Sequence, residues 1–153
     1  MAVLKLLTKS YATDTALWNI INYIGKYGLE YCGGFGVNPE YAYEEILLVK
    51  KIWHKEDGQQ VRHFVLSFAE GEKLNTQQKL KLAYDICQYY SEFQCFFGCH
   101  YDSDNPHIHF VMNTVSAIDG HRYSGGPPDW YGLREHIESL LPGWPVRLEY
   151  GKE

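Results

Sequence analysis

An α+β fold, a mainly antiparallel central sheet with helices packed on it, is what this sequence predicts. Three observations carry that expectation. Strand-like and helix-like patterns interleave along 153 residues. Several connections between the strand-like runs are shorter than the dozen or more residues that a parallel crossover needs. The length and the 45% hydrophobic, 22% charged composition suit one domain spanning 1–153 around one core.

The elements follow in order. Residues 2–8 alternate as a short strand. Thr13 or Asp14 caps a helix to about Ile24, with Leu17, Ile20, Ile21 and Ile24 on its apolar side. Gly25 and Gly28 end it. The run Cys32-Gly33-Gly34-Phe35-Gly36 lacks the spacing and setting of a nucleotide fingerprint, so it reads as a flexible connection and no nucleotide cofactor is expected. Pro39 opens a helix to about Trp53. Gln60 to Phe68 alternates as a strand, and Asn75 or Thr76 caps a long helix to about Ser91. Phe93–Tyr101 and His107–Val115 form two strands. Asp119-Gly120 signals a hairpin into a short strand at His121–Tyr123. A last helix runs over Trp130–Leu140, and Val146–Tyr150 adds a strand.

Fourteen Lys and Arg against nineteen Asp and Glu give a net charge of −5. That balance excludes a protein that coats nucleic acid or anionic membrane through a global positive field, but not a local basic groove. The four cysteines form no C-x-x-C pair and read as reduced thiols. No apolar run reaches the roughly 20 residues of a membrane helix, and the N-terminus lacks a signal core. A cytoplasmic protein with no membrane partner is the expectation.

The informative segment is His100-Tyr101-Asp102-Ser103-Asp104-Asn105-Pro106-His107-Ile108-His109. Side chains alternate along a strand, so His107 and His109 share one face. Closing the two strands around a four-residue turn, Ser103 to Pro106, sets His100 opposite His109, Asp102 opposite His107 and Tyr101 opposite Ile108. Cross-strand neighbours lie about 4.5–5.5 Å apart at Cβ, so this register gathers three imidazoles and a carboxylate around one point. Three imidazoles hold a divalent metal and leave positions open for water or substrate. Asp102 is placed to hold the second nitrogen of a ligand histidine.

The spacing H-x-D-x4-H-x-H, followed by Phe110-Val111-Met112-Asn113-Thr114-Val115, resembles the third motif of plasmid relaxases. These are mobilisation nucleases of the His-hydrophobe-His endonuclease superfamily. Asn22-Tyr23-Ile24 resembles the family's first motif, and Tyr41-Ala42-Tyr43-Glu44-Glu45 through Lys50-Lys51 its following helix. Arg62-His63-Phe64-Val65-Leu66-Ser67-Phe68 resembles its second motif, and Asp119-Gly120-His121-Arg122-Tyr123 the hairpin after the metal strand.

The resemblance implies a bacterial enzyme that nicks and rejoins single-stranded DNA at an origin of transfer, alongside accessory relaxosome proteins. Its tyrosine, Tyr23, would attack a phosphodiester and form a 5′-phosphotyrosine while a 3′-hydroxyl departs. His100, His107 and His109 would hold a divalent ion, Mg²⁺ or Mn²⁺ in function, with Zn²⁺, Ni²⁺ or another ion as purified. Asp102 would orient a ligand histidine or take the tyrosine proton. Related transposases and replication initiators place the tyrosine after the metal motif, where Tyr131 would serve. Two further readings stay open: a non-catalytic module that binds single-stranded DNA or a relaxosome partner, and a metal-dependent hydrolase of small phosphoesters.

Ser67 and His63 share a strand face, and the resemblance sets the serine near the cleaved strand. Asn113 shares the parity of His107 and His109 and is expected at the site margin. Lys50, Lys51, Lys55, Arg62 and Arg122 are the expected phosphate contacts. They belong to uneven islands of positive charge, with Lys5, Lys9 and Lys26 flanking the tyrosine helix against Asp14 alone. A chain of this length covers the nuclease core and leaves nothing for a helicase or primase.

Overall fold

The computed structural model describes residues 1–151. Six strands form one sheet: β1 (Ala2–Leu7), β2 (Cys32–Phe35), β3 (Val61–Phe68), β4 (Cys95–His100), β5 (His107–Asn113) and β6 (Val146–Gly151). Their order is β2-β4-β5-β3-β1-β6. Only β6 on β1 is parallel; the other four pairings are antiparallel. The chain is therefore α+β with a mostly antiparallel sheet, and helices cover both faces.

Helix α1 (Asp14–Ile24) is capped by the Thr13 hydroxyl, which accepts from the Ala16 backbone N–H. Helix α2 (Ala42–Ile52) starts later than the sequence suggests, because Pro39–Tyr41 winds as a 3₁₀ turn. Helix α3 (Thr76–Cys87) opens on a capping box in which Asn75 and Gln78 satisfy each other's backbone N–H, and its last turn tightens to 3₁₀ at Gln88–Tyr90. Helix α4 begins at Pro127 and ends at Leu140, three residues longer at its start than expected, since proline at the first turn loses no hydrogen bond.

Alternation along the strands sorts the core into two layers. Leu4, Phe64, Leu66, Phe97, Ile108 and Phe110 point to the face covered by α3 and α4. Val61, Phe96 and Val111 point to the other, where they meet Leu17, Ile20, Ile21 and Ile24 of α1 and Ile46 of α2. All four cysteines are buried and free.

Two local expectations are corrected. Cys32–Phe35 is not a flexible connection but an edge strand on β4. Its glycines serve close packing: a Cβ on Gly33 would strike the Phe97 ring, and one on Gly34 the Val37 carbonyl. The hairpin at Asp119-Gly120 does form, but its returning strand is reduced to one bridge between Val115 and Arg122.

Lys50 and Asn113 are also corrected, because both are interior. Lys50 is 1% exposed, and its Nζ donates to the Gln60 carbonyl and the Asn113 Oδ1, each at 2.7 Å. Asn113 in turn donates to the Ile46 carbonyl and to Gln94 Oε1. Together they tie α2 to the far ends of β3 and β5, and neither faces a ligand.

Burial, with Arg122 adding to it, pushes the Lys50 ammonium down to about 7 from an ordinary 10.5. Between those values the unfolded chain binds one more proton than the folded one, so stability rises with pH from about 7 upward. Lys50→Met should lose roughly 2 kcal/mol in chemical denaturation, because Asn113 Oδ1 and the Gln60 carbonyl lose a buried donor. It should also flatten the rise in stability between pH 7 and 9 that the parent shows; an unchanged slope contradicts the assignment.

Candidate metal and tyrosine site

The site lies on the α1 face, where β4 and β5 meet. Their register sets His100 opposite His107, Cys99 opposite Ile108 and Gly98 opposite His109. The pairing expected from a four-residue turn, with His100 opposite His109, is thus off by two positions. The connection takes six residues, 101–106, and Asp102 and Tyr101 lie in it rather than in the ladder. A slip of two preserves side-chain parity, so the three imidazoles still share one face. Their ring centroids lie 4.4 Å (His100–His109), 5.0 Å (His107–His109) and 5.5 Å (His100–His107) apart.

Each ring is gripped by one nitrogen and presents the other. His100 Nε2 donates to the Ile24 carbonyl at 3.0 Å, and His107 Nδ1 donates to the Asn105 carbonyl at 3.0 Å. A carbonyl only accepts, which assigns the proton to the gripped nitrogen. His109 Nδ1 meets His63 Nε2 at 2.9 Å, and His63 Nδ1 meets the Tyr11 hydroxyl at 2.8 Å. Buried His100 Nδ1 and His109 Nε2 have no hydrogen-bond partner among the described residues. One nitrogen from each of the three rings lies within 4.8 Å of those of the others. Orphaned inward nitrogens on neutral imidazoles fit a divalent ion.

Neutrality follows from the surroundings. Burial above all, then the neighbouring rings, pushes His109 down to about 2. Burial, then Lys9, brings His63 to about 4, and burial also lowers His100. Lone pairs on His100 and His109 are therefore available near neutral pH.

His63 is 1% exposed behind His109, so its expected place on DNA is corrected: it holds a ligand histidine from the rear. The orienting role expected of Asp102 is corrected too. Its carboxylate lies on the open side, with Oδ2 on Lys26 Nζ at 3.1 Å and Oδ1 3.7 Å from His107 Nε2, the inward nitrogen. Lys26 holds the Asp102 carboxyl below its usual range.

The end of α1 closes over this group. Gly98 makes that possible, since a Cβ there would stand 2.6 Å from the Ile24 carbonyl oxygen. The same carbonyl takes the His100 proton. One turn of helix presents Tyr23, whose ring is edge-on to His100 at 5.1 Å and to His109 at 5.3 Å. Lys26 Nζ sits 4.6 Å from the Tyr23 ring centre. Tyr131 lies on α4, whose Leu133 and Ile137 pack in the core layer on the opposite face of the sheet.

Ser67 is the register partner of His107 on β3, and the row continues through Val3 to Arg147. Ser67 thus borders the histidines. Lys51, Lys55 and Arg122 do not: they belong to the Asn113 end of β5 and the segments around it, six residues or roughly 20 Å from His107. There Lys55 donates to the Gly120 carbonyl and Arg122 pairs with Asp57 at 2.7 Å. Arg62, paired with Met112 beside Asn113, is on the opposite face of the sheet from the histidines, against Trp130 and Tyr123. Tyr11 and Gly98 went unread in the sequence, and Lys26 was read only as one of the cations flanking the tyrosine helix. Only Lys26 carried a signal there, three residues after Tyr23 on the same helical side.

A family model for the MobA/VirD2-like relaxase nuclease domain matches residues 23–141. The chain belongs to that family. This relaxase domain also superposes on a solved structure from work on the molecular basis of vancomycin resistance transfer in Staphylococcus aureus. The TM-score is 0.61 with 11% identity, over 100% of this chain and 98% of the other, a likeness of fold. No curated protein matches the chain. Family membership supports DNA nicking in mobilisation in general terms, on a single strand at an origin of transfer, by a metal-dependent domain. Among the described residues of the relaxase domain, no helix is long and apolar enough to cross a membrane.

The rear support of His109 is testable by metal affinity alone. His63→Ala and Tyr11→Phe should each weaken Mn²⁺ or Ni²⁺ binding by roughly 10- to 100-fold in calorimetric titration. Affinity equal to the parent's in both well-folded variants would remove the support role.

Proposed function

We propose that this domain nicks and rejoins one DNA strand through Tyr23, with a divalent ion held by His100, His107 and His109. The observation that supports it best is the Tyr23 ring edge-on to two of those histidines at about 5 Å. A metal bound there supplies charge to a non-bridging phosphate oxygen and polarises phosphorus.

The protein's own groups account for the rest. A phenol has an ordinary pKa near 10, and the Lys26 ammonium beside the Tyr23 ring favours the phenolate. Asp102, kept ionised by Lys26, receives the phenol proton on the open side. The Tyr23 oxygen bonds to phosphorus as the P–O3′ bond breaks, and the departing 3′ oxygen takes a proton from water. The phosphotyrosine retains the energy of the broken ester, so the reverse attack by the 3′-hydroxyl reseals the strand. Ser67, next to His107, is placed to hydrogen-bond the strand where it crosses the histidines.

Incubation with Mn²⁺ and origin-region oligonucleotides should give a denaturation-resistant protein–DNA adduct. Tyr23→Phe and His107→Ala/His109→Ala should abolish it, Tyr131→Phe should not, and Lys26→Met should slow its formation at least tenfold. An adduct mapped to Tyr131 would overturn the assignment. Binding of the oligonucleotide with no adduct would favour a non-catalytic binding module.

A further inference from the structure

A second cavity, of about 500 Å³, opens where β1 ends and β3 begins. Lys9, Arg62 and Arg122 line it and, among the described residues, no Asp or Glu does, in a protein whose net charge is −5. Arg122 is partly engaged by Asp57. Arg62 is not: among the described residues it has no carboxylate within ion-pair range. Its guanidinium is instead held 5.0 Å from the Trp130 ring and 5.5 Å from the Tyr123 ring. The carboxylate of the same helix turn, Asp129, is occupied by the hydroxyls of Tyr90 and Tyr123. Trp130 also meets Tyr150, which is 51% exposed, with ring centres 5.2 Å apart.

A neighbouring cavity of about 450 Å³ has Tyr23 in its wall, and the two share Lys9 and Ser10. A chain leaving Tyr23 can therefore pass over Lys9–Ser10 into the Arg62 cavity without meeting a carboxylate among the lining residues.

We propose that the Arg62 cavity is a nucleotide subsite for the same DNA single strand, away from the point of cleavage. Its phosphate rests on Arg62, and its base stacks on the Trp130–Tyr150 aromatic pair. This rests on the nicking reading above and adds to it where the strand goes. The chemistry suits the ligand: the volume lies in the range of small-ligand pockets. Aromatic faces hold any base by stacking, and an unpaired guanidinium pre-set by two rings matches a phosphate. Trp130 and Tyr123 fix the Arg62 side chain beforehand, so less conformational freedom is lost on binding.

The probe is fluorescein-labelled oligothymidylate of 16 nucleotides, followed by anisotropy in EDTA over a series of salt concentrations. Trp130→Ala should weaken binding roughly tenfold, and Trp130→Phe should restore most of it. Arg62→Gln should lower the slope of log affinity against log salt by about 0.7, the loss of one phosphate contact on a single strand. Should Trp130→Ala fail to fold by thermal melting, the Arg62→Gln slope decides. A substituted 5-iodouracil should crosslink to the Trp130 or Tyr150 peptide. Binding by the parent with unchanged affinity and slope in the variants overturns the subsite, as does absence of binding by the parent. The nicking reading is judged separately, by the Tyr23 adduct.

Discussion

The approach of α1 to Gly98 is the constraint on which the site depends. Without a Cβ at residue 98, the Ile24 carbonyl comes close enough to β4 to accept the His100 proton. That single bond does two things: it turns the other nitrogen of His100 inward, and it brings the last turn of α1 over the histidines, with Tyr23 on it and Lys26 just beyond it. The apolar side of α1 supplies the force that holds it there, through Leu17, Ile20, Ile21 and Ile24 against Phe96 and Val111. Tyr23 and the three histidines are thus fixed relative to each other by the same packing contact.

The histidines show how a sheet tolerates error in one variable and not in another. A pairing offset of two residues left all three rings on one face, whereas an offset of one would have scattered them. What the ladder does not decide is which nitrogen of each ring faces inward. That falls to three rear acceptors of different kinds: a helix-end carbonyl, a loop carbonyl and the His63–Tyr11 pair. The carboxylate near the site is not among them. Asp102 stays on the open side, paired with Lys26.

Charge distribution reconciles an acidic protein with a polyanionic substrate. The net −5 describes the whole surface, and the cavities next to Tyr23 and Arg62 have cations and, among the described residues, no acids in their walls. On the proposed strand path, attraction is local, while an acidic remainder disfavours duplex elsewhere.

The sequence by itself determined the fold class, most elements, the shared face of His107 and His109, and the family resemblance carried by motifs in order along the chain. These follow from period and spacing, which are local properties of a chain. The strand at Cys32–Phe35 was illegible because it pairs with β4 and its Gly33 answers to Phe97, a residue distant in sequence. Lys50, Asn113 and His63 were misread for a related reason: charge and parity predict exposure or a face, but not what lies across the interior. Tertiary structure alone decided that Lys50 grips Asn113, that His63 backs His109 and that Tyr23 rather than Tyr131 meets the histidines. Each of those outcomes is a contact between segments brought together by burial of apolar surface, and such contacts leave no periodic mark on either segment.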